Sequence, residues 1–157
     1  MVFPLQLGGY YAYTNEDGTY GVWRLLFLDD SALHYAAYST KFDHKPTVEE
    51  AVQAKRTAMH VPQGAGTLLL RSNLSLLGHH KLSEDDMQSF RLFMADQGYD
   101  ATEVDKMVAT AIKNSTQSPF FVKLTEDAEQ DDKLTVEQPT EQEAEAAAED
   151  WGLTFIK

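Results

Sequence analysis

Between Tyr20 and Thr40 the alternation of side chains is that of two strands. On a period of two, Val22, Arg24, Leu26 and Leu28 point one way, and Trp23, Leu25 and Phe27 point the other. Both faces are largely apolar, which predicts a central strand over Tyr20–Leu28 covered on both sides. Gly21 and the Asp29-Asp30-Ser31 stop argue against a buried helix over the same run. Leu33–Thr40 continues as a second strand after a turn at Asp29–Ala32, with His34, Ala36, Tyr38 and Thr40 on one face and Leu33, Tyr35, Ala37 and Ser39 on the other. Upstream, Tyr10-Tyr11-Ala12-Tyr13 is a short aromatic strand, closed by the turn Asn15–Thr19 in which Asp17-Gly18 supplies the left-handed position. Strands over 9–14, 20–29 and 33–40 therefore form an antiparallel meander.

Past Pro46 the period lengthens. Thr47-Val48-Glu49-Glu50 is a capping box. Val48, Ala51, Val52, Ala58 and Met59 give a modest stripe for a helix over 48–59, stopped by Pro62 and Gly64-Ala65-Gly66. Thr67–Arg71 reads as a short strand, with a second at Leu74–Leu77. Ser83-Glu84-Asp85-Asp86 places acids in the first turn of a helix over 84–97, with Met87, Phe90, Phe93 and Met94 on its inner face and Gly98 at its end. Asp100-Ala101-Thr102-Glu103 forms a further capping box. Val104, Met107, Val108, Ala111 and Ile112 then fall on one face of a helix over 101–114. Pro119 precedes a last strand, Phe120–Leu124. The expected class is α+β: a mainly antiparallel sheet, built from the N-terminal three-stranded meander plus one or two later strands, covered on one face by a helix and a helical hairpin.

Composition divides the chain at Leu124. Residues 1–80 carry six basic and seven acidic side chains, residues 81–124 five and seven, and residues 125–157 two and eleven. Most of the net charge of −12 thus lies in the final stretch. The expected organisation is a single α+β domain over 1–124 and an acidic extension over 125–157, ending in a hydrophobic tip able to dock as a strand. Lys133–Val136 fits a brief strand and Thr140–Glu149 a short solvated helix, although the composition of 125–150 favours a disordered acidic linker.

These features narrow the function classes. There is no cysteine, which removes disulfides, thiol nucleophiles and thiolate metal sites. Met-Val-Phe-Pro-Leu-Gln-Leu has neither the basic region nor the apolar core of a signal peptide, and no apolar run approaches the ~20 residues of a membrane helix, so a cytoplasmic protein without membrane contact is expected. A near-neutral body gives no footprint for a phosphate backbone, and direct nucleic-acid binding is not expected. Lys106 and Lys113 are offset by Glu103 and Asp105, which is wrong for a helix that enters a DNA groove. The five histidines show no ligand spacing, and no metal or cofactor is expected. No Gly-x-Ser-x-Gly elbow is present.

The chain accordingly reads as a non-catalytic protein-interaction or regulatory module. Its binding candidates are Trp151, Leu153, Phe155 and Ile156 at the tip, offered to a protein partner or exchanged between two copies in a homodimer. One alternative is an acidic charge mimic that blocks a basic nucleic-acid-handling site through residues 126–150. The other is a small enzyme with a small-molecule site at His34, Tyr38 and His44, at the end of the meander.

Overall fold

A computed structural model describes residues 2–28, 33–54, 56–63, 73–117, 119–124 and 136–152. The expected turn at Asp29–Ala32, the strand at Thr67–Arg71 and the tip residues Leu153, Phe155 and Ile156 lie outside the described residues. The α+β class holds. Strands β1 (Val2–Leu5), β2 (Gly9–Thr14), β3 (Tyr20–Leu28) and β4 (Leu33–Tyr38) come first, followed by α1 (Val48–Gln53), β5 (Arg56–Gln63) and β6 (Ser75–His79). Helices α2 (Gln88–Asp96) and α3 (Ala101–Asn114) precede β7 (Phe120–Leu124), β8 (Val136–Glu137) and α4 (Glu141–Asp150).

The meander β2-β3-β4 is the centre of a five-stranded antiparallel sheet ordered β5-β4-β3-β2-β6. Gly21 through Leu26 of β3 are buried on both faces, as a strand apolar on both sides requires. On one face the rings of Tyr11, Trp23 and Tyr35 run across three strands; Tyr11 stacks on Trp23 at 4.3 Å and Trp23 meets Tyr35 at 5.3 Å. The Tyr11 hydroxyl donates to the Pro4 carbonyl and accepts from the Gln6 amide, which pins the β1–β2 connection to the sheet. Burial pushes the pKa of this phenol upward.

The other face carries Tyr10, Arg24, Ala36, Tyr38, His34 and His60, aligned through the pairs Tyr10↔Arg24, Arg24↔Ala36 and Ala36↔His60. A β-bulge between Leu25 and Phe27 corrects the simple alternation read from the sequence. The extra residue brings Phe27 opposite His34, so its ring leaves the Trp23 face and lies 5.2 Å from Phe90. α2 covers this end of the face through Phe90 and Phe93. α1 covers the other end, where a Cβ on Gly78 of β6 would stand 3.0 Å from the Val48 side chain.

Three local readings are corrected. The helix expected over 48–59 ends at Gln53, where Ala54 turns extended, and Arg56–Gln63 pairs with β4. Only two apolar positions of that stripe lay beyond Gln53, whereas the uncovered edge of β4 offers a full ladder to the second half of the segment. Pro62 is tolerated there because β5 is an edge strand. Second, Ser83–Asp86 forms a turn ahead of α2: Ser83 Oγ accepts from the Asp86 amide, and the Asp86 carboxylate accepts from Ser83 N and Oγ. Third, Asp100 caps α3 with its backbone alone and makes no side-chain cap bond, whereas the Thr47–Glu50 box forms as expected.

A small second sheet, β1-β7-β8, was not foreseen, because Val2–Leu5 contains a proline and is too short to announce itself. Gln6, 1 % exposed, ties this sheet to the end of α3 through its Nε2 bond to the Gln117 carbonyl. No described helix is long and apolar enough to cross a membrane.

Candidate functional site

Three neighbourhoods hold the polar groups the fold goes out of its way to place. The first is built around Arg24, a charge in the middle of an apolar strand and 3 % exposed. A guanidinium cannot shed its proton, so burial obliges it to collect acceptors. Its Nε donates to the Gly8 carbonyl at 3.2 Å, Nη2 donates to the His80 carbonyl at 2.9 Å, and Nη1 pairs with Asp86 Oδ2 at 3.0 Å. The guanidinium also lies 4.6 Å over the Tyr10 ring. Gly8 makes this arrangement possible: with φ at 76°, a Cβ there would fall 2.3 Å from the His80 carbonyl oxygen. Beside Arg24 opens a cavity of about 320 Å³ walled by Tyr10, Tyr38 and Asp86, with His80 and Lys81 also lining it. Val52 and Ala54, at the C-terminal end of α1, line it as well.

The second neighbourhood is a histidine pair on the same sheet face. His34 Nδ1 and His60 Nε2 share a hydrogen bond of 2.8 Å, and the two rings lie nearly parallel with centroids 4.9 Å apart. Phe90 and Phe93 close over both rings, and Phe27 flanks His34. One nitrogen of the pair must donate and the other accept, so the bond cannot survive with both rings protonated. Burial, and secondarily the charge His34 could carry, lowers the pKa of His60 to about 4. Its Nδ1 is buried with no hydrogen-bond partner among the described residues. No cluster of three or more potential metal-ligating side chains occurs among the described residues.

The third neighbourhood is exposed. His44 Nδ1 meets Asp43 Oδ1 at 2.6 Å and Nε2 meets Glu50 Oε2 at 2.9 Å, fastening the turn to the α1 capping box. The bond to Asp43, then the bond to Glu50, raises the pKa of His44.

The residues singled out from the sequence are thus distributed. His34 belongs to the histidine pair, Tyr38 to the Arg24 cavity and His44 to the exposed turn. His34 and Tyr38 share a face of β4, while His60, Arg24, Asp86 and His80 were missed as partners. The signal for Arg24 was present: a lone charge inside a strand apolar on both faces demands a counter-charge from elsewhere in the chain.

Of the tip residues, Trp151 is described. It is half-buried, packs against the core and sets its ring edge-on to Phe3 at 6.1 Å. It stands at the end of α4, the helix expected over Thr140–Glu149 as the alternative to a disordered linker. Thr140 and Glu143 form a capping box, and Ala144, Ala147 and Ala148 form a buried stripe toward β1. Lys123 Nζ holds Glu143 at 2.9 Å, and that bond leads the causes that lower the Glu143 pKa. Glu141, Glu145, Glu149 and Asp150 are exposed. No family model, curated protein or solved structure matches this chain.

Proposed function

We propose that the protein is a non-catalytic protein-interaction module whose partner-facing element is the C-terminal segment, directed at a partner with a basic surface. The observation that carries this reading is the docking of α4. Its alanine stripe lies against β1 while Glu141, Glu145 and Glu149, spaced four residues apart, line up on an exposed flank. Like charges at that spacing disfavour an isolated helix, and the docked alanine stripe is what holds this row of carboxylates in place on the surface. Trp151, resting on Phe3, fixes the point from which Leu153, Phe155 and Ile156 continue. A basic partner would meet the carboxylates first, and those apolar residues would then supply the less salt-sensitive part of the contact.

The test compares two triple variants of the full chain in binding to fluorescent poly-L-lysine at moderate salt. Removing the stripe (E141Q, E145Q and E149Q) should weaken binding by about tenfold, and the difference should shrink as salt shortens the screening length. Removing three exposed carboxylates of the body (E16Q, D96N and E103Q) should change it by less than about twofold, since those side chains stand on three different elements and do not form one helical row. Equal losses would show that net charge alone is read, and would overturn the proposal.

A further inference from the structure

We propose that the cavity beside Arg24 is a binding site for a small oxyanion, a carboxylate or phosphate monoester carried on a compact, partly apolar body. The argument begins with donors. A guanidinium has five N–H groups, and three of those of Arg24 are taken up by protein acceptors. Two donors remain on a side chain that lines an open space of about 320 Å³. That volume is at the small end of the range for small-molecule pockets.

The charge of the lining points the same way. Among the described lining residues Arg24 and Lys81 contribute two positive charges and Asp86 one negative, in a chain whose net charge is −12. Lys81 is exposed and has no ion-pair partner among the described residues. The site is therefore a local positive exception in an acidic protein, with a rigid planar donor inside and a point charge at the rim. Asp86, anchored by Ser83 and by Arg24, holds the guanidinium in place and does not neutralise the whole lining. The walls suit the rest of the ligand: Tyr10 and Tyr38 meet edge to face at 6.1 Å, and Val52 and Ala54 add apolar surface. A planar or tetrahedral oxyanion matches the paired geometry of guanidinium donors, whereas a cation would meet a lining of its own sign. The site is separate from the α4 stripe and stands whether or not that reading does.

The experiment titrates the ¹⁵N-labelled full chain with inorganic phosphate and, separately, with benzoate at constant ionic strength, following amide shifts. Saturable shifts centred on Tyr10, His80, Lys81 and Asp86 are expected with at least one of the two. Phosphate alone would assign the phosphate class, and benzoate alone would assign the carboxylate with a flat body. K81Q, which removes the rim charge without touching the Arg24 bonds, should weaken binding by about fivefold. V52W, which places bulk at an exposed lining position, should abolish it, with the fold monitored by unchanged shifts elsewhere. No saturable binding of either probe, saturable shifts centred elsewhere, or affinity indifferent to both substitutions would overturn the proposal.

Discussion

Arg24 and the His34–His60 pair occupy the same face of the same sheet, and burial has treated them in opposite ways. Arg24 keeps its charge and is surrounded by a carboxylate, two backbone carbonyls and a tyrosine ring. The histidines lie under Phe90 and Phe93, share one hydrogen bond, and His60 holds its proton so weakly that its pKa falls to about 4. The lesson concerns the side chains more than the site. A group that cannot deprotonate makes the chain build acceptors around it, while a group that can deprotonate lets the chain cover it with rings.

The largest effect should come from breaking the first arrangement. Asp86→Ala leaves the guanidinium buried without its counter-charge and should lower unfolding free energy by about 3 kcal/mol, read from urea denaturation. Replacing both partners, Arg24→Met with Asp86→Leu, should return most of that loss, since the pair's net worth is small once neither charge has to be desolvated.

The second arrangement is sharpened by pH. The His60 pKa is lowered from 6.5 to about 4 in the folded chain. Below pH 6.5 the unfolded chain takes up a proton that the folded ring still refuses. The contribution is thus complete above 6.5 and disappears as pH falls toward 4. His60→Leu should flatten the urea midpoint across that window relative to the parent chain; an unchanged slope would mean that other groups set it.

The smallest effect is expected at His44, whose pKa is raised and whose contribution has the opposite sign. It is present below its ordinary 6.5 and lost as pH rises through the raised value. Because the group is exposed, His44→Gln should move the melting temperature only slightly, and only below the raised pKa.

How much of this could be read in advance depended on range. The meander was legible because alternating apolar residues and an Asp-Gly turn lie within a few positions of each other, and α3 because its stripe repeats over three turns. The bulge that turns Phe27 over, and the ladder that draws Arg56–Gln63 away from helix, depend on neighbours the local pattern does not contain. Within the cavity, Tyr38 was in view, but Arg24 meets Asp86 and His80 only after the chain has returned twice. A helix over Thr140–Glu149 was in view but set behind a disordered linker on composition, although Thr140-Glu141-Gln142-Glu143 and the spacing of Ala144, Ala147 and Ala148 already carried the signs of a capped, docked helix.

The pairing of Val2 with Lys123 has a bearing on how the molecule is made. Almost the whole body must leave the ribosome before β1 meets its neighbour, and closing so long a loop is slow. The little sheet is therefore expected to set last, and a nascent chain stalled before Phe120 holds out Phe3 and Leu5 without the strand they pair with. That interval is when a chaperone would find this protein most in need of it.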